Sequence, residues 1–224
     1  MSTYIIPVVI IFLIIFILMI IFNDEARIIR KLKNARLKTI SSFNEGDEAK
    51  IIGTIKKADT PLISPLTNRE CIGYHVLVEQ EKKNDDTYSW KTIIDIKFIE
   101  DFIITDNEMD AIVRTNKLKS VIVKDNKQTS GFLNDATPQL EQFLNNHGTK
   151  SEGILGFNKT MRYREGILEP GELISVLGKG TWKMSKDLNI KTSAEKMLEI
   201  SHLEDDFVYL SDDPSTTINV TSNR

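Results

Sequence analysis

The chain has 224 residues, 29 of them Lys or Arg and 32 Asp or Glu, for a net charge of −3. Its acids concentrate beyond residue 38, which argues against a nucleic-acid-binding body, since such a body carries a basic stripe. The single cysteine, Cys71, excludes an intrachain disulfide.

Ile5 to Phe22 (IIPVVIIFLIIFILMIIF) is an uncharged apolar run. As a helix it spans ~27 Å, close to the ~30 Å hydrocarbon thickness of a bilayer. Pro7 lies in its first turn, where a missing N–H costs no intrahelical bond. No basic residue precedes the run and no small-residue cleavage pattern follows it, so an uncleaved transmembrane anchor is expected over residues 1–22. Arg27, Arg30, Lys31, Lys33, Arg36 and Lys38 come next, against only Asp24 and Glu25. This asymmetry predicts the N-terminus outside and the body in the cytosol; a bacterial plasma membrane is expected ahead of an organelle's outer membrane. The same basic neck is a candidate lipid-facing surface for anionic headgroups. Ile28, Ile29, Leu32, Ala35 and Leu37 give residues 23–43 the apolar spacing of a juxtamembrane helix.

Residues 44–211 read as mainly β. Ala49–Ile55 is β-branched, with Gly53 marking a bulge or close backbone approach. Pro61 and Pro65 exclude a central strand between residues 59 and 69. Cys71–Glu81 places Ile72, Tyr74, Val76 and Val78 on one face, and a return strand places Trp90, Thr92, Ile94, Ile96 and Phe98 on one face. Short strands are expected at residues 102–105, 111–114 and 119–124. A helix follows, with Thr137 as cap, Pro138 at the first position and Gly148 as stop. Further strands are expected at residues 161–168, 173–177, 181–187 and 207–210, while 193–200 fits helix or strand. The expected fold is a single transmembrane helix followed by a β-barrel or sandwich with one or two short helices. Residues 212–224 form a polar tail expected to be disordered.

Two stretches carry a family likeness. One comprises Ile52-Gly53-Thr54-Ile55, Pro61-Leu62-Ile63-Ser64-Pro65-Leu66-Thr67, Arg69, Cys71, Tyr74 and Trp90. The other comprises Arg162-Tyr163-Arg164-Glu165, Leu168, Glu169-Pro170-Gly171-Glu172 and Val176-Leu177-Gly178. In this order they resemble the GIDE-type domain of the mulan-like mitochondrial ubiquitin ligases and their bacterial relatives, over roughly Glu45 to Asp212. The resemblance implies a β-rich domain beside a membrane; in the eukaryotic ligases it lies between two spans and precedes a zinc-binding RING. This chain has no second spanning run and no RING. Two zinc sites need about eight Cys and His ligands, and the complement here is Cys71, His75, His147 and His202.

No cofactor, metal site or catalytic residue is therefore expected. Cys71 and His75 share a strand face but sit ~13 Å apart, too far for a nucleophilic pair. The paired acids at residues 85–86, 205–206 and 212–213 read as solvated turns. The rigid loop with Pro61, Ser64, Pro65 and Arg69 is the candidate interaction surface. The function expected is a membrane-proximal interaction or assembly module for a protein partner or a second copy. The alternatives are a ligase-like transferase and a lipid- or peptide-binding surface.

Overall fold

A computed structural model describes residue 9 and residues 23–57, 60–84, 87–131, 134–151, 158–188, 190, 192 and 194–218. The elements are α1 (Asp24–Asn34), β1 (Glu48–Ile55), β2 (Leu62–Ile63), β3 (Glu70–Cys71), β4 (Gly73–Asn84), β5 (Thr87–Ile99), β6 (Phe102–Thr105), β7 (Asp110–Val113), β8 (Leu118–Val121), β9 (Asn126–Ser130), α2 (Pro138–Asn146), β10 (Met161–Leu168), β11 (Leu173–Met184), β12 (Lys196–Ser201), β13 (Val208–Ser211) and α3 (Pro214–Thr217).

The larger sheet has seven strands in the order β1-β6-β7-β12-β11-β13-β8, and β1 also pairs with β11. Strands β1, β6, β7, β12 and β11 thus close into a barrel, with β13 and β8 continuing from β11. Inward-facing Ile51, Ile55, Ile104, Val113, Ile174, Val176, Leu198 and Ile200 fill it. Gly53 is the close approach that its place in the strand implies: a Cβ there would sit 2.5 Å from the Thr105 carbonyl oxygen. The second sheet, β5-β4-β10-β9, is antiparallel throughout. One face carries Val76, Val78, Ile94, Met161 and Tyr163, which pack on Leu140, Phe143 and Leu144 of α2. The Glu169–Glu172 turn leads from this sheet into the barrel, with Gly171 at φ +90°.

The register of the β4–β5 hairpin corrects one expected face. Val78 pairs with Ile94 but Glu79 pairs with Thr92, leaving Ile93 as an extra residue in β5. A bulge of this kind inverts alternation beyond it. Ile94, Ile96 and Phe98 therefore share the face of Tyr74, Val76 and Val78, whereas Trp90 and Thr92 pair with Glu81 and Glu79 on the other.

Among the described residues, no helix is long and apolar enough to cross a membrane. The expected run over 5–22 lies, apart from Val9, outside the described residues. The single-pass topology and the membrane location drawn from it are corrected accordingly. The helix after that run, α1, has eleven residues and is ~16 Å long, about half a bilayer core. Its apolar stripe is occupied by the protein itself: Ile28 and Leu32, one helical turn apart, are buried against Val121, Leu177 and Tyr209. The chain then leaves the helix, and Leu37 bridges Lys50 in parallel beside β1. The described part of the tail is folded onto the barrel as well. Asp213 caps α3, and buried Thr216 bonds Ser175 at 2.7 Å and accepts from Lys50 Nζ at 3.1 Å.

Candidate binding clefts

Helix α1 forms because its ends are satisfied locally. The Asn23 side chain accepts from the Glu25 N–H at 2.9 Å, acids fill the first turn, and Lys31 and Lys33 fill the last. Docking this helix over β8, β11 and β13 leaves a cleft of about 710 Å³ along its flank. Ile28, Ala35, Leu177 and Leu203 give the cleft an apolar floor, and Tyr209 lines it as well. Arg27, Arg30, Lys31, Arg36 and Lys119 bring five cationic side chains to it, against the carboxylates of Asp24, Glu48 and Asp206.

Lys31 anchors one wall. Its ammonium pairs with Asp206, donates to Tyr209 Oη at 3.0 Å and sits 4.4 Å from the Tyr209 ring centroid. Partial burial works to lower the Lys31 pKa, but the Asp206 and Tyr209 hydrogen bonds outweigh it and the pKa is raised. Burial likewise works to raise the pKa of Asp206, and Lys31 and Tyr209 hold it below the usual carboxylate value. Lys119 spends its charge partly on the Phe207 ring, 4.4 Å from the centroid.

Of the six basic residues expected to face lipid, four therefore line this cleft: Arg27, Arg30, Lys31 and Arg36. Lys33 is exposed away from it. Lys38 is turned inward, pairing with Asp47 and donating to the Ser42 carbonyl at 3.0 Å. The sequence alone did not point to Glu48, Lys119, Leu177, Leu203 or Tyr209 as cleft residues. They come from separate strands and loops, and only the sheet order brings them to α1. Asp206, read from sequence as part of a solvated acid pair, is instead an ion-pair partner. Residues 85–86 lie outside the described residues.

The loop with Pro61, Ser64, Pro65 and Arg69 is tied down from within. The Glu165 carboxylate, fully buried on β10, accepts from Leu66 N at 2.8 Å and Thr67 Oγ1 at 2.5 Å. Ser64 is buried and bonds Thr67 at 2.7 Å, and Arg69 reaches Glu169 at 3.1 Å. Pro61 is half-buried. Pro65 lines a smaller groove of about 380 Å³, shared with Asn68 and with Pro138, Gln139, Gln142, Phe143 and Asn146.

Cys71 and His75 fall on different strands, β3 and β4. Burial pushes the Cys71 thiol up to about 11, leaving it a packing group rather than a thiolate nucleophile. His75 instead contacts Asp95 at 2.8 Å. Among the described residues, no group of three or more His, Cys, Asp or Glu side chains is arranged to hold a metal ion. Comparison with known proteins gives no match: no family model, no curated protein and no solved structure matches the chain.

Proposed function

We propose that this chain is a GIDE-like β module that binds, rather than transforms, a partner, and that its working surface is the cleft beside α1. The observation that carries this reading is the convergence of five cationic side chains on an apolar-floored cleft of about 710 Å³. A concave site where apolar contact meets converging charged groups suits a binding role. The charge balance selects an acidic ligand. Asp24, Glu48 and Asp206 stand among the cations, so the site suits discrete charges on a peptide better than a continuous anionic sheet. The partner is accordingly an acidic, partly apolar segment of another protein.

The test is fluorescence anisotropy with the full chain in a mild non-ionic detergent, titrated into a short labelled peptide of alternating Glu and Leu. A Lys and Leu peptide serves as control. The Glu peptide binds, binding weakens with salt, and R27E/R36E lowers affinity about tenfold or more. Equal binding of the two peptides, or an unchanged affinity in R27E/R36E, overturns the reading. Binding of phosphatidylserine vesicles without binding of the peptide overturns it in favour of a lipid headgroup.

A further inference from the structure

Strand β5 runs thirteen residues at the edge of the second sheet, and among the described residues it pairs with β4 alone. An edge of this length exposes a row of unpaired backbone donors and acceptors, and proteins normally blunt such an edge with proline, charge or a bulge. This one has no proline. Its bulge at Ile93 divides it into two arms, and the arm Ile94–Ile99 is regular, paired residue for residue with β4. Phe98, on that arm, is 48% exposed.

The arm is complementary to itself in one antiparallel register. A two-fold axis through Ile96 sets Asp95 opposite Lys97 of a second copy, and Lys97 opposite Asp95 of that copy. It also sets Ile94 opposite Phe98, while Ile96 meets its own copy on the axis. Moving the axis one residue either way places Asp95 against Asp95 or Lys97 against Lys97, which like-charge repulsion disfavours. The faces agree as well, because Ile94, Ile96 and Phe98 lie on one side of β5 and Asp95 and Lys97 on the other. Both charges have partners within the chain: Asp95 contacts His75 at 2.8 Å and the Lys97 amine donates to the Ser120 carbonyl at 2.5 Å. Each keeps capacity for one more, since a carboxylate has two oxygens and an ammonium three donors.

We infer that two copies of this chain associate through β5, in antiparallel register about Ile96, joining two four-stranded sheets into one. The two-fold pairs the same edge of both copies, so the contact closes as a dimer and does not propagate. This site is separate from the cleft beside α1.

Disulfide trapping on the full chain in mild detergent tests it. The native Cys71 is fully buried and stays silent. Under mild oxidation I96C gives a cross-linked dimer at twice the 25.5 kDa monomer mass, and K91C, beyond the bulge, does not. In the I96C background D95K sets Lys against Lys twice and weakens association about tenfold or more, and D95K/K97D restores it. No dimer from I96C, equal trapping of K91C, or a yield unchanged by D95K overturns the inference.

Discussion

Glu172 shows how a single side chain ties stability to pH. It sits in the turn between β10 and β11, where its carboxylate accepts from the Glu169 N–H at 2.9 Å. Burial, with the nearby charges of Asp212, Glu169 and Asp125 adding to it, pushes its pKa up to about 7. Asp212 is itself raised to about 6, again chiefly by burial. The folded protein thus holds a proton on Glu172 that the unfolded chain releases at its ordinary value of 4.5. The contribution of this group to stability is therefore fully present below pH 4.5 and is lost as pH rises through about 7. E172Q keeps the acceptor oxygen and removes the charge. Its Tm should exceed the wild type by ~3 °C at pH 8, the shift of ~1 kcal/mol in a chain of this size once solvent screening is allowed for. At pH 4 the two should coincide. A thermal scan at both values checks this, and a gain at pH 4 equal to that at pH 8 would refute it.

At the scale of elements, α1 is held chiefly by Leu32, which is fully buried against β8, β11 and β13. L32A should cost ~3 kcal/mol in urea unfolding and raise amide exchange throughout residues 24–34, because Leu32 is the most deeply buried residue of the stripe. Retained protection there would show that Ile28 alone fixes the helix. This element also marks what local sequence can tell. The apolar spacing of α1 was legible, but not which surface would cover it, and the hydropathy of residues 5–22 pointed to a bilayer. Helix α2 was fully legible because cap, proline, apolar spacing and glycine stop are all local, and Thr137 does accept from Leu140 N. Strand β11 was read as two pieces, residues 173–177 and 181–187, on either side of Gly178-Lys179-Gly180. Those glycines make room instead: a Cβ on Gly180 would strike the Phe43 ring, and one on Gly178 would meet Ile200. Strand β12, open between helix and strand in the sequence, is settled by pairing with both β11 and β7.

Across the whole molecule, the two sheets are joined by short connections. The Glu169–Glu172 turn links β10 to β11, and Glu100-Asp101 links β5 to β6. Between them Ile72 donates to the Leu168 carbonyl at 2.9 Å and accepts from Glu100 N at 3.0 Å. Such coupling predicts that barrel and second sheet unfold together. The two tryptophans report on them separately: Trp182 packs on the barrel core, and Trp90 lies on the second sheet, 4.3 Å from the Arg162 guanidinium. Urea midpoints followed by fluorescence in W90F and W182F should coincide, and a gap between them would mean two independent units. The basic half of the cleft was visible in the sequence. Its other half was not, because Lys119, Leu203 and Tyr209 meet α1 only through the order β11-β13-β8, which no spacing along the chain encodes.

The odd residue in β5 sets the phase of everything distal to it. Were Ile93 instead taken into the ladder opposite Glu79, strict alternation would return along the hairpin, exchanging inside for outside from Thr92 to the tip. Trp90 would quit its guanidinium neighbour and be driven toward α2, while Lys91 would emerge beside Arg162 and Arg164. One amino acid of surplus length thus decides whether that tip offers an aromatic ring or a further positive charge.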